Sequence, residues 1–154
     1  MTSYDPLITK NGRIHRLPPG DELNIPDFGS TELENTSGSV VAIGSVVYSN
    51  NAGTFDLAQA TALASAKVVG LCKENISANV AGDIQTGGVL TLTEAQWDNI
   101  TGGSGGLDGS YFLSTVAGKL TNSAPTSSGQ FVTYIGRALS STDLLIEIAN
   151  TIRL

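Results

Sequence analysis

Cysteine, histidine, charge and long apolar runs are all scarce in this chain. Its 154 residues include one cysteine, Cys72, and one histidine, His15. A single cysteine excludes an intrachain disulfide and a thiolate zinc site. Cys72 sits in the apolar run Val68-Val69-Gly70-Leu71-Cys72, which reads as a small core residue rather than a reactive thiol. His15 lies between arginines in a proline-rich segment, a poor place to preorganise a catalytic base, and reads as a surface or interface histidine. Charged residues make up 14% of the chain, too few for a disordered, self-repelling polymer. The net charge is −6 and the isoelectric point about 4.5. Direct nucleic-acid binding calls for a basic footprint, so none is expected. No apolar run is long enough for a membrane-spanning helix. The opening MTSYDPLITK lacks the charged-then-apolar pattern of a secretion signal. Synthesis in a cytosol without a signal peptide, and no membrane partner, are the expectations.

What the chain has instead is glycine, 18 residues of it, amid many Ser, Thr and Asn. That composition favours turns and short strands. The organising stretch is Gly109 to Ile148. Gly109 opens a strand over Ser110–Ser114, Ala117-Gly118-Lys119 turns the chain, and Ala124 to Gly129 is a polar loop. Strands are expected over Gln130–Ala138 and Leu144–Ile148, with the period-2 alternation of one buried face from Phe131 to Ile135.

Residues 1–35 differ from the rest. Pro6, Pro18, Pro19 and Pro26 fall here, four of the five prolines. Proline lacks a backbone donor and biases its predecessor to extended geometry. Lys10-Asn11-Gly12-Arg13 reads as a hairpin turn. The segment is expected to be an extended N-terminal arm carrying a short hairpin. Its apolar residues Ile14, Leu17, Leu23 and Ile25 are its candidate partner-binding positions, since the arm cannot bury them on itself.

Residues 36–154 read as a β domain. Strands are expected at Ser39–Ile43, Val46–Ser49 and Lys67–Lys73, and a hairpin over Gly82–Thr93 broken at Thr86-Gly87-Gly88. Asp56 to Ala66 is alanine-rich with an acid at its start, which predicts a helix of two to three turns. Thr93 and Gln96 have the spacing of a capping box, beginning a single helical turn that carries Trp97. Gly102 to Gly106 reads as a flexible loop. Gly44-Ser45 through Ala52-Gly53 recurs as Gly109-Ser110 through Ala117-Gly118, and Val69-Gly70 as Ile135-Gly136. A duplicated unit, residues 44–77 and 109–143, explains the echo. The fold class is mainly β: a small β-barrel or sandwich of two related units, with one or two short helices and the arm.

Catalytic chemistry finds little footing. The acids Asp21, Glu22, Glu32, Glu34, Glu94 and Asp98 fall in turns or helix caps, where acids are common for structural reasons, and Glu147 in a strand pattern. None has calcium-loop spacing, and Gly102 to Gly106 lacks the ending of a phosphate loop. No enzyme activity, metal or cofactor is expected. Trp97 with Tyr4, Tyr48, Tyr111 and Tyr134 could form a sugar platform if exposed. Trp97 is the candidate glycan contact.

Gly109–Ser114, Ala117–Thr121, Ala124-Pro125, Gly129–Val132 and Ile135–Ser140 together resemble a module of tailed-bacteriophage structural proteins. Leu57–Leu71 is similar to the part preceding that module, and Lys10–Ile14 with Leu17–Leu23 to the lead-in of phage fibre and decoration proteins. The resemblance spans about Val40 to Ile148. It implies a small β domain, often a homotrimer, located in the virion. The function it implies is capsid decoration, with the phage major capsid protein as partner and the arm as tether. The alternative is a tail fibre, collar or baseplate component bound to tail structural proteins, including a carbohydrate-binding adhesin.

Overall fold

The computed structural model describes residues 7–10, 13–16 and 29–154. The chain is mainly β. Strands β1 (Leu7–Lys10) and β2 (Arg13–Arg16) pair antiparallel, with Lys10 opposite Arg13, the register a two-residue Asn-Gly link demands. Then come β3 (Ser30–Asn35), β4 (Val46–Asn51), β5 (Thr54–Leu57), α1 (Leu63–Ala66), β6 (Val68–Cys72), β7 (Ala81–Gln85), β8 (Gly88–Thr91) and α2 (Glu94–Thr101). The remaining strands are β9 (Ser110–Leu113), β10 (Leu120–Thr121), β11 (Phe131–Val132), β12 (Tyr134–Ala138), β13 (Asp143–Ile146) and β14 (Ile152–Arg153).

Two related units follow one another. In the first, β3, β5, β4, β6 and β7 close into a barrel. In the second, the sheet order is β10-β9-β12-β13-β8. Opened between β3 and β5, the barrel reads β5-β4-β6-β7-β3, the same order strand for strand. Gly44 and Gly109 (φ 83° and 80°) precede the corresponding β4 and β9, and Gly53 and Gly118 (φ 78° and 73°) turn both hairpins, a left-handed conformation that costs other residues a steric penalty. Gly70 and Gly136 occupy the corresponding β6 and β12. A Cβ at Gly70 would overlap the Gln85 carbonyl oxygen, and one at Gly136 the Leu145 carbonyl oxygen. The units differ in closure. β3 reaches round to pair in parallel with β5 through Glu34–Thr54 and Asn35–Phe55. In the second unit α2 follows β8 and buries Trp97 and Ile100 in the core.

One core fills the barrel: Leu33, Val41, Val47, Phe55, Cys72, Ile76 and Ile84. A larger one joins the units, with Val46, Ala58, Ala60, Ala66 and Leu71 meeting Trp97, Ile100, Leu113, Leu120, Ile135 and Leu144. Neighbours Val46 and Val47, and Leu71 and Cys72, therefore point into different cores. Both faces are covered at the start of β4 (Val46–Val47) and along β6, which therefore read as apolar runs rather than alternating ones, while Ser49 to Asn51 at the far end of β4 is exposed.

Several expected elements fall elsewhere. The β domain begins at Ser30, not Thr36: β3 pairs with β7 from Ser30–Gln85 to Glu34–Ala81, and without it the barrel is open. Asp56 to Ala66 is not one helix. Asp56 lies in β5, and Ala58 to Ala60 is non-helical and hydrogen-bonded to both units; only Leu63–Ala66 is helical. Ser39 to Ile43 is no strand but a loop with a single bridge, Val41–Ile76, shaped by buried Asn35. The Asn35 amide donates to the Ser39 and Ile76 carbonyls at 2.7 and 2.8 Å and its oxygen accepts from the Ser37 N–H at 2.9 Å. β7 and β8 are not a hairpin. Both edges of β7 are taken by β3 and β6, so Thr86-Gly87 crosses to the second sheet, where β8 pairs with β13. The capping box is present, with both the Thr93 and Gln96 bonds made, and it begins two turns of helix rather than one.

The crowded glycines set a stability test. Gly70→Ala and Gly136→Ala are each expected to cost about 1–3 kcal/mol through forced separation of neighbouring strands. Gly87→Ala, where an added methyl meets nothing within 4 Å, is expected to change stability by no more than about 1 kcal/mol. Urea-denaturation midpoints of the three variants check this; a Gly136→Ala protein as stable as the parent would refute it.

Candidate functional site

Of the four residues expected to bind a partner, Ile14 alone falls among the described residues. Ile14 lies in β2, opposite Thr9. Leu17, Leu23 and Ile25 lie outside the described residues. Tyr4, Asp21 and Glu22 do so as well.

Trp97 is not a surface platform. It is 0% exposed, and its indole N–H donates to the Thr142 carbonyl oxygen at 2.8 Å. The capping box fixes α2 so that Trp97 and Ile100 fall on its inner face. This is the ordinary fate of tryptophan: a large apolar body buried with its one donor satisfied. Tyr111 is 4% exposed. Half-buried Tyr134 packs edge-to-face on Phe112, ring centroids 5.7 Å apart. Among the described residues, the expected aromatic set is thus dispersed between core and strand faces.

The acids hold the scaffold. The Asp98 carboxylate accepts the Gly105 and Gly106 N–H groups at 3.1 and 2.8 Å. Asp143 accepts from the Thr91 hydroxyl at 2.6 Å. Glu147, exposed, lies 4.0 Å from Arg137. Among the described residues no three His, Cys, Asp or Glu are grouped to hold a metal ion, and no helix is long and apolar enough to cross a membrane. Cys72 is buried, which, with Glu74 secondarily, pushes its pKa from 9.0 up to about 12; the thiol stays protonated and unreactive.

Several concavities open on the described surface. A groove of about 410 Å³ runs between α1 and the segment before β14, lined by Leu63, Lys67, Val68 and Ile148 to Thr151. Leu63 is 51% exposed at its edge. The base is rigid: the Thr133 and Thr151 hydroxyls lie 2.9 Å apart, both within hydrogen-bonding reach of the Ala66 carbonyl at 2.8 and 3.0 Å. This arrangement offers apolar contact with one cation at the rim. The second concavity, about 360 Å³, lies beside the Gly102–Gly106 loop. That loop is anchored: Gly102 caps α2 in the left-handed conformation, and Asp98 holds its far end. The anchoring acid sits one turn inside the helix, a signal that was present in the sequence as Asp98 ahead of the glycine run.

No family model matches the chain, and no curated protein matches it.

The buried thiol predicts a pH dependence. In the unfolded chain Cys72 ionises near 9, in the folded one near 12. The unfolded state therefore loses its proton first, and stability falls as pH rises through that window, by up to about 1.4 kcal/mol per pH unit. Below pH 9 this contribution is fully present. Denaturation of the parent and of Cys72→Ala between pH 8 and 11 is expected to show a steeper fall in the parent; parallel curves would refute it.

Proposed function

We propose that this chain is a non-enzymatic structural protein of a tailed-phage virion, and within that class a capsid decoration protein. One observation carries the reading: the residues that resemble phage structural modules occupy the positions on which this fold depends. Gly109 and Gly118 have positive φ at the start and turn of the β9–β10 hairpin, and Gly136 admits the Leu145 carbonyl. The resemblance thus lies in backbone requirements rather than in composition. The rest of the argument is mechanical. A two-unit β body with a shared core is a rigid block, and the β1–β2 hairpin precedes it in the sequence.

In this reading the partner is the phage major capsid protein, and the body sits on the outer head surface, a homotrimer on a three-fold site. The chain is made in the bacterial host cytoplasm and ends in the virion. Ile14, Leu17, Leu23 and Ile25 supply the tether, each contributing roughly 1.5–3 kcal/mol if fully buried. The ordering of the arm offsets part of that.

The test is co-sedimentation with purified phage heads, stripped of accessory proteins, and separately with tails. The full chain is expected to bind heads saturably. A chain starting at Gly29 is expected to melt cooperatively and yet fail to bind. The cut belongs there because removal through Glu34 would take β3 from the barrel. Equal binding by the truncated chain overturns the tether. Binding to tails alone overturns decoration in favour of a fibre, collar or baseplate role.

A further inference from the structure

The concavity beside the Gly102–Gly106 loop has a built wall and a polar lining. Its volume, about 360 Å³, is within the range of small-molecule sites. The wall is not free to collapse. Gly102 donates its N–H to the Asp98 carbonyl at the end of α2. The Asp98 carboxylate takes the N–H groups of Gly105 and Gly106, and the Leu107 N–H donates to the Ser141 carbonyl at 2.9 Å. A Cβ at Gly106 would overlap that same carbonyl oxygen. A glycine-rich loop held at both ends is a preorganised surface.

The groups on that surface are uncharged hydrogen-bonding groups with one carboxylate. Thr101, Ser104, Asp108, Tyr111 and Asn122 line it, with no lysine or arginine among the lining residues. The Tyr111 hydroxyl accepts the Asp108 N–H at 3.0 Å, which orients its own proton for donation elsewhere. The Thr101 hydroxyl accepts from the Gly103 N–H at 3.2 Å and likewise keeps its proton. The Asp108 carboxylate is an acceptor on an exposed residue. Donors and acceptors thus share one cleft, and the carboxylate disfavours anions.

The related first unit supplies an internal comparison. At the 65-residue offset of the two hairpins, Asp108, Tyr111 and Asn122 correspond to Ile43, Val46 and Leu57. The same framework carries apolar residues there. The polar triad belongs only to the unit that has the loop and α2.

We infer that this cleft binds a neutral, hydroxyl-rich ligand, a saccharide unit, through Asp108, Asn122, Ser104 and the Tyr111 hydroxyl. The assignment moves glycan recognition from buried Trp97 to the Asp108 cleft, and it does not depend on the virion reading. A monosaccharide-sized contact without an aromatic platform is weak by itself, and several copies on one particle would raise it by avidity.

The experiment is saturation-transfer NMR on the full chain with glucose, galactose, mannose and N-acetylglucosamine, and with glucose 6-phosphate as the anionic control. At least one neutral sugar is expected to give a saturable signal, with glucose 6-phosphate weaker than glucose. Asp108→Ala combined with Asn122→Ala is expected to weaken binding about tenfold or more. Both residues are exposed, and an unchanged melting curve confirms that the variant is folded. Val40→Ser, a change at an exposed valine of the first unit, is expected to bind as the parent does. No saturable signal from any of the four sugars at up to about 10 mM, far weaker than a 1 mM complex would require, overturns the proposal. So does a signal that survives unchanged in the double variant.

Discussion

The structure depends on a strip of non-helical backbone three residues long, Ala58 to Ala60. Ala58 donates its N–H to Val46 in the first unit at 2.9 Å and accepts from Gly118 in the second at 2.8 Å. Ala60 donates to the Ser114 carbonyl at 3.0 Å and accepts from Phe131 at 2.9 Å. Both alanines are fully buried. A larger side chain at either position would hold the strands apart, and a helix there would withdraw the very donors and acceptors the units share. Buried backbone groups must be paired, and in this strip each unit supplies partners for the other. The joint core around Val46, Leu71, Leu113 and Ile135 forms because the strip holds the units in contact.

Two units with one strand order then diverge in how they end. The first spends β3 on closing its barrel. The second leaves β8 against β13 and places a capped helix next, with Trp97 filling the interior. The helix has to be terminated, and its left-handed Gly102 leads into a loop that Asp98 holds. The polar cleft is thus a consequence of the open form of the second unit: the strand pairing that seals the first has no counterpart there. The same difference explains why Trp97 is a core residue and cannot serve as a platform.

The proposed attachment and the proposed saccharide cleft place different demands on the molecule. A tether needs apolar side chains that the body does not bury, the role proposed for Ile14, Leu17, Leu23 and Ile25. A cleft needs rigidity, which the body provides through backbone hydrogen bonds rather than through ion pairs. At 14% charged residues there is little electrostatic contribution to spare, and the exposed Arg137–Glu147 pair at 4.0 Å is of the kind that contributes 0 to about 1 kcal/mol.

Local chemistry in the sequence was sufficient for the features that need no distant partner. The glycine turns at Gly53 and Gly118, the Thr93–Gln96 capping box, the Asn-Gly hairpin, the alternation from Phe131 to Ile135 and the buried Cys72 are all readable from neighbours a few residues apart. The repeat of Gly-Ser and Ala-Gly at a fixed offset likewise carried the relation between the units. Tertiary contacts decided the rest. Alanine's helix preference, a few tenths of a kcal/mol per residue over ordinary residues, lost between Ala58 and Ala60 to hydrogen bonds with Val46 in the first unit and with Ser114, Gly118 and Phe131 far along the chain in the second. The apparent hairpin at Thr86-Gly87-Gly88 became a crossover because β7 already had two neighbours, a fact no local window contains. The Asp108–Asn122 cleft brings together residues whose spacing carries no motif. The fold of the second unit, with α2 and its anchored loop, puts them on the same wall.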